Sequence, residues 1–131
     1  MLLRETLDQY DTRYATTDEA AARQRGINDA IALPDCNKDR PFAAIWCAFK
    51  AVYVVSKARP DVVISTGAAP GFMCILAGRL TGAKTLWIDS VANGEQLSMC
   101  GRLSVKFAHE CLTQWEHLKG ENRPRYEGAV L

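Results

Sequence analysis

A segment rich in small residues, TGAAPG, directly follows the short apolar run VVIS at residues 62–65. Its side chains are small or absent, so a ligand could approach the main chain closely. Pro70 suits the first position of a helix, where the next N–H groups, those of Gly71, Phe72 and Met73, would attract phosphate or another anion. The sequence therefore predicts an anion-binding glycine loop formed by Gly67, Ala68, Ala69, Pro70 and Gly71.

The glycine loop fits neither of the common nucleotide-binding motifs. No Gly-Lys-Ser/Thr follows it, so ATP and magnesium are not implied, and its spacing is not G-x-G-x-x-G, so a dinucleotide is not implied. A tight strand-to-helix turn that binds nothing is an equal alternative. Gly78, in the middle of the following predicted helix, is expected to tolerate alanine.

A second polar stretch, DSVANGEQLS at residues 89–98, follows the apolar run TLWI and is called the polar loop below. In parallel sheets ligands bind at the carboxyl ends of the strands, so both loops are expected at one edge. The predicted hydroxyl binders are Asp89, Ser90, Asn93, Glu95 and Gln96, and the predicted anion partners are Arg102 and Lys106. Helix capping and a solvated helix face are the structural alternatives.

No catalytic residue, metal or cofactor is predicted. His109 and His117 flank the last predicted strand, where they are expected to be surface or strand-end histidines. The five cysteines form no C-x-x-C pair, which argues against a zinc ribbon or a disulfide scaffold. Cys47, Cys74 and Cys111 lie in apolar segments and are predicted to be core residues.

Length and composition describe one α/β domain. A chain of 131 residues, 48% hydrophobic and 24% charged, suits a single domain, and a net charge of +1 does not favour nucleic acid. Alternating apolar runs and helical patterns predict a parallel sheet with helices on both faces. The predicted strands are residues 13–17, 30–33, 62–65, 84–88 and 111–114. The predicted helices are residues 2–9, 18–26, 42–58, 70–80 and 98–107.

The helix predicted at residues 42–58 is apolar on nearly all sides, so it is buried or meets a second surface. Covering a sheet is the first interpretation, and contact with a membrane or a partner is the second. The candidates for that contact are Phe42, Trp46, Phe49 and Tyr53. We expect no membrane span, because no run reaches about 18 apolar residues. No signal peptide is expected either, because charges begin at Arg4.

Essentially the whole chain, and most specifically residues 59–118, resembles the accessory subunits of two-part glycosyltransferases in polysaccharide synthesis. This family includes the membrane-recruiting subunit of the eukaryotic dolichol-linked N-acetylglucosaminyl transferase and bacterial relatives in exopolysaccharide and capsule synthesis. The resemblance rests on PDVVISTG, the Pro-Gly pair, GAK before a strand, LSMCGRL, TQWEHL and the Tyr126-x-Gly128 pair. Earlier residues match more loosely, through YATTDEA.

The resemblance implies a Rossmann-like domain over residues 1–131, similar to the amino-terminal, acceptor-side half of a GT-B glycosyltransferase. It implies a heterodimer with a donor-binding subunit, a UDP-sugar shared with that subunit, and a polyprenyl-linked acceptor. Hexosyl transfer is expected only with the partner present, at the cytoplasmic face of the membrane, where the chain would be peripheral. The tail residues Tyr126, Gly128, Val130 and Leu131 are expected at the partner interface, because this apolar tail has no core of its own to enter.

Members of this family begin with a strand and a Gly-Gly-His type loop that this sequence does not contain. We therefore expect a domain truncated at its amino terminus and lacking the first, central strand of the sheet. The strands on either side would then be separated by two strand spacings, about 10 Å. A stand-alone nucleotide-binding module and an inactive fragment are the alternatives to an accessory subunit.

Overall fold

The computed structural model describes residues 2–36 and 39–131. The helices are α1 (Leu2–Leu7), α2 (Glu19–Gln24), α3 (Pro41–Ala58), α4 (Ala68–Thr81) and α5 (Met99–Phe107), with a 3-10 turn at Glu116–Leu118. The strands are β1 (Ala15–Thr16), β2 (Ile31–Ala32), β3 (Val62–Ser65), β4 (Lys84–Ile88), β5 (Glu110–Thr113) and β6 (Arg125–Tyr126). Every predicted helix and strand is present; β3 and β4 have the predicted bounds, and the ends of the other elements are shifted. The 3-10 turn and β6 were not predicted.

Local signals in the sequence set several helix ends. The Asp18 side chain accepts a hydrogen bond from the N–H of Ala21 (2.9 Å) and caps the start of α2. Helix α3 ends at Arg59, which adopts a left-handed conformation with φ of +46°. Pro60 follows, and it cannot continue the helical hydrogen bonding.

The strands form two parallel sheets. Strand β1 pairs with β2, and a separate sheet has the order β3-β4-β5-β6. Within the described residues, β3 is hydrogen-bonded to a strand on one side only. That a first, central strand is lacking from this domain stays a prediction. Because Ser65 lies opposite Trp87 in the β3–β4 ladder, the glycine loop and the polar loop leave the sheet at the same edge.

Two clusters of buried apolar side chains hold a helical layer to one face of the larger sheet. One cluster joins α4 to the sheet through Phe72, Ile75, Trp87, Ala108 and Cys111. The other joins α3 to α4 and to the end of β2 through Leu33, Ala51, Val55, Cys74 and Ala77. The opposite face carries an open depression of about 450 Å³, lined in part by Val62, Leu86 and Glu110. The sequence predicted helices on both faces of the sheet, but at this depression the strand residues are open to solvent.

Three cysteines lie in the core, as predicted. Cys47, Cys74 and Cys111 are all buried and free of disulfides. Burial raises the pKa of Cys74 to about 11 and that of Cys111 to about 12. Because the thiolate is the reactive form of cysteine, these two side chains are unsuited to nucleophilic chemistry at neutral pH.

Candidate functional site

The two glycines of the glycine loop have different roles. Gly67 has φ of +144°, and a Cβ added to it would meet no atom within 4 Å, so the space above the main chain is open. A Cβ added to Gly71 would lie 2.1 Å from Oγ of Ser65, so Gly71 allows α4 to pack closely on the end of β3. Ala68, between them, also has a positive φ of +62°.

Helix α4 begins at Ala68, two residues before the predicted start. The N–H groups of Gly71, Phe72 and Met73 are therefore not the free donors that the sequence predicted, since they fall beyond the first three helical positions. The N–H groups of Ala68 and Ala69 occupy the first turn instead. Gly67 provides no capping side chain and the first turn carries no acidic residue, although Oγ of Ser65 accepts from the N–H of Gly67 (3.4 Å). The N–H groups of the first turn are therefore receptive to an anion.

Gly78 packs directly against the sheet. A Cβ added to it would lie 2.9 Å from Cγ2 of Val63 and 3.0 Å from Cγ2 of Thr85. The expectation that Gly78 tolerates alanine is therefore wrong, because the added Cβ would lie closer to both methyl groups than ordinary van der Waals contact allows. Helix propensity alone missed this close contact between helix and strand.

Asp89 organises the polar loop. The side chain is 2% exposed, and its Oδ1 accepts from Nε1 of Trp87 (3.1 Å) and from Oγ of Ser98 (2.6 Å). Its Oδ2 accepts from the N–H of Ser98 (3.0 Å) and from Nδ2 of Asn93 (3.4 Å). Ser98 in turn caps α5 by accepting from the N–H of Gly101 (2.8 Å). Contact between Asp89 and a ligand hydroxyl stays a prediction, since four donors of this chain already surround the carboxylate.

The remaining predicted site residues are spread along the polar loop and α5. Oγ of Ser90 accepts from the N–H of Ala92 (3.2 Å), and Glu95 is exposed. Arg102 lies on α5 and reaches back to the loop, where it donates to Oε1 of Gln96 (3.3 Å). Lys106 is exposed one turn further along α5. The structure thus places positive charge beside the polar loop.

Two anchors of the polar loop, Trp115 and His117, were missed by sequence reasoning. Nε1 of Trp115 donates to the carbonyl of Val91 (3.0 Å), and Nε2 of His117 lies 2.6 Å from the carbonyl oxygen of Gly94. A carbonyl oxygen only accepts, so Nε2 of His117 carries the hydrogen. Both residues follow β5, which lies beside β4. Their position just after a strand next to β4 was the signal that could have predicted contact with the polar loop.

The carboxy-terminal tail lies against its own chain. Oε1 of Gln114 accepts from the N–H groups of Val130 (2.9 Å) and Leu131 (3.3 Å), and the N–H of Leu3 donates to the carbonyl of Val130 (3.3 Å). These hydrogen bonds hold the tail to its own chain, while Val130 and Leu131 are only partly buried and belong to neither core cluster. A partner interface at Tyr126, Gly128, Val130 and Leu131 stays a prediction.

Helix α3 presents a row of large apolar side chains to solvent. Phe42 is 86% exposed, Trp46 62%, Phe49 68% and Tyr53 59%. The opposite side, at Cys47, Ala51 and Val55, is buried. Among residues 2–36 and 39–131, α3 is the one helix long and apolar enough to cross a membrane, judged by length and composition alone. This differs from the expectation that no segment reaches that length.

Comparison with known proteins decides the family. The family described as "Oligosaccharide biosynthesis protein Alg14 like" matches residues 9–130. The chain belongs to the Alg14-like family. The curated UDP-N-acetylglucosamine transferase subunit alg14 of Schizosaccharomyces pombe (strain 972 / ATCC 24843) is 30% identical to it over 101 residues. That match covers 69% of this Alg14-like chain and 47% of the yeast protein, so the chain spans about half the length of this relative.

A solved structure shows the same fold. The Alg14-like chain aligns with MurG of Acinetobacter baumannii at a TM-score of 0.75, covering 98% of this chain and 40% of MurG. Sequence identity is 15%, so the likeness concerns the fold alone. The Alg14-like domain is thus a parallel α/β domain that matches the amino-terminal portion of a GT-B protein, as the sequence predicted.

Proposed function

We propose that this chain is the acceptor-side subunit of a glycosyltransferase that uses UDP-N-acetylglucosamine and requires a second, donor-binding subunit. The observation that carries the proposal is the family match over residues 9–130, because the curated relative is itself described as a subunit of a UDP-N-acetylglucosamine transferase. The acceptor is a polyprenyl-linked diphosphate or oligosaccharide. The site is the edge of the sheet where the glycine loop and the polar loop lie together.

The electrostatics of this edge support a diphosphate ligand. The first turn of α4 has a partial positive charge, no acidic residue and open space above Gly67. Arg102 and Lys106 add formal positive charges on α5, and both side chains are exposed. We propose that these cationic side chains and the N–H groups of the first turn bind the diphosphate.

The exposed side of α3 supports attachment to a membrane. Its aromatic residues face solvent along the whole helix, with Lys50 and Lys57 on the same side of the helix beside them. Apolar residues flanked by lysines are typical of a helix that lies in the headgroup region of an anionic bilayer. Because the other side of α3 packs against α4, we propose a helix lying on the cytoplasmic face rather than crossing it.

The decisive experiment compares the lone chain with the reconstituted pair. The chain is co-purified with its donor-binding subunit and mixed with labelled UDP-N-acetylglucosamine and a polyprenyl-diphosphate acceptor. We expect transfer by the pair and none by the lone chain. Equal transfer by the lone chain would overturn the accessory role, and tight UDP-sugar binding by the lone chain without transfer would favour a nucleotide-binding module.

The glycine loop is tested with two matched glycines. Gly67 and Gly82 lie at opposite ends of α4, both have positive φ, and a Cβ on either meets no atom within 4 Å. Valine at either position strains the main chain, but only Gly67→Val places atoms in the proposed site. We expect Gly67→Val to lower transfer by the pair at least about tenfold relative to Gly82→Val. Equal activity of the two variants would remove the glycine loop from the site.

A further inference from the structure

The polar loop is held by hydrogen bonds from the segment that follows β5. The indole of Trp115 donates to the carbonyl of Val91 (3.0 Å), and the imidazole of His117 donates to the carbonyl of Gly94 (2.6 Å). Strands β4 and β5 are neighbours, so the anchoring segment and the loop leave the sheet side by side. The loop is therefore tied at two points between its ends, in addition to its covalent connections.

Gly94 also makes close contact with the indole of Trp115. A Cβ added to Gly94 would lie 3.4 Å from two atoms of the indole ring, so the main chain of the loop packs on the aromatic surface. The ring centroids of Trp115 and His117 are 6.0 Å apart. The two anchors are thus neighbours that hold the same part of the loop.

The base of the loop is closed by Asp89 and Ser98. The Asp89 carboxylate accepts from both the N–H and the hydroxyl of Ser98, at 3.0 Å and 2.6 Å. With the base closed and the carbonyls of Val91 and Gly94 bonded to the anchors, the conformational freedom of the loop is low. A loop held in this way presents its outer side chains in one arrangement.

We propose that Trp115 and His117 are positioning residues that hold the polar loop in the conformation that receives the acceptor. This inference rests on the proposed function, because it takes the polar loop as part of the acceptor site. A loop released from its anchors populates other conformations, and the apparent affinity for the acceptor falls by the fraction that remains competent. The two residues act through the loop and contact no reacting group.

The first test measures loop order without any ligand. Trp115→Phe keeps an aromatic ring against Gly94 and removes the donor, whereas His117→Leu removes the other donor. The amides of Ala92 and Asn93, which bond to Ser90 within the loop, report its opening by hydrogen exchange. Losing one anchoring hydrogen bond should raise their exchange about three- to tenfold.

Two control variants separate the loss of a hydrogen bond from the substitution itself. His117→Gln keeps an N–H donor at a similar reach and should exchange like the wild type. Tyr10→Phe alters an aromatic residue that is 70% exposed and belongs neither to the loop nor to its anchors, so it should leave the exchange unchanged. Unchanged exchange of the loop in both Trp115→Phe and His117→Leu would overturn the inference.

The second test is kinetic and uses the reconstituted pair with a polyprenyl-diphosphate acceptor. Trp115→Phe and His117→Leu should raise the acceptor KM about three- to tenfold, with the KM for UDP-N-acetylglucosamine and kcat unchanged. A role in stability alone would lower the amount of active enzyme and leave the acceptor KM unchanged. His117→Gln should restore the wild-type KM.

The outcomes distinguish this inference from the proposed function. Transfer by the wild-type pair with an unchanged acceptor KM in both variants would overturn the positioning role and leave the proposed function standing. An ordered loop in a wild-type pair that transfers no sugar would overturn the proposed function, and the acceptor role of the loop with it. Faster exchange together with a higher acceptor KM supports the positioning role.

Discussion

Ala68 has a main-chain conformation that normally belongs to glycine. Its φ of +62° costs an L-residue about 1–2 kcal/mol through the contact of Cβ with the following carbonyl. Glycine removes that cost but lowers the free energy of unfolding by about 0.4–1 kcal/mol, because it raises the conformational entropy of the unfolded chain. We expect Ala68→Gly to leave the free energy of unfolding unchanged or to raise it by up to about 1 kcal/mol, measured by urea denaturation.

The neighbouring residue provides the control for this prediction. Ala69 lies in the first turn of α4 without a positive φ, so glycine there brings only the entropic cost. Ala69→Gly should lower the free energy of unfolding by about 0.5–1 kcal/mol. Equal effects of the two substitutions would show that Ala68 carries no strain.

His109 is held between donors at the amino edge of the larger sheet. Its Nε2 lies 2.5 Å from Nη1 of Arg79, and its Nδ1 accepts from the N–H of Thr85 (3.1 Å). Partial burial, followed by the positive charges of Arg79, Lys84 and Arg123, lowers the pKa of His109 from its ordinary value. In the protonated imidazole both ring nitrogens carry a hydrogen and both face donors, so the folded protein disfavours the charged form of His109.

This lowered pKa predicts how stability depends on pH. The unfolded chain takes up the proton near the ordinary histidine pKa of about 6.5, before the folded chain does. The contribution of His109 is therefore complete above pH 6.5 and is lost as the pH falls through the lowered pKa. Free energies of unfolding measured from pH 8 to pH 5 should show this decline, and His109→Asn, which keeps an acceptor and does not titrate, should reduce it. An identical decline in the variant would contradict the assignment.

At the scale of elements, α3 makes the clearest prediction. Replacing Trp46 and Phe49 with serine removes two aromatic side chains that are 62% and 68% exposed. Flotation with vesicles of phosphatidylcholine and phosphatidylglycerol should show binding reduced by about tenfold or more, since each inserted aromatic contributes about 1.5–3 kcal/mol when fully buried. Leu80→Ser is the control, because Leu80 is 83% exposed at the far end of α4. Equal loss in the control would indicate non-specific adsorption.

The elements were predictable where the pattern is local. Strand β3 has the predicted bounds, 62–65, because an apolar run with turn signals on both sides is readable within a few residues. Strand β6 was missed because Arg125–Tyr126 is short and its pairing with β5 is a tertiary contact. The anchors Trp115 and His117 were missed for the same reason, since only the packed sheet edge shows which carbonyls they reach.

At the scale of the whole molecule, the tail contributes to stability. Deleting residues 126–131 removes both donors to Oε1 of Gln114, whose side chain is 5% exposed. Each of these hydrogen bonds contributes about 0.5–1.5 kcal/mol net, so we expect the free energy of unfolding to fall by about 2 kcal/mol in thermal or urea denaturation. Tyr126→Ala, which keeps the tail, should be close to wild type. An unchanged stability after the deletion would contradict this role.

The division into two sheets has a consequence for how the molecule unfolds. The smaller sheet pairs only Ala15 with Ile31 and Thr16 with Ala32, and a pairing this short is not stable by itself. Leu33 is 7% exposed and ties it to α3 and α4. The segment from α1 to β2 should therefore open as a separate cooperative unit, below the free energy of global unfolding. Any ligand or subunit that touches both sheets would then protect this segment from proteases first, even before it measurably raised the melting temperature.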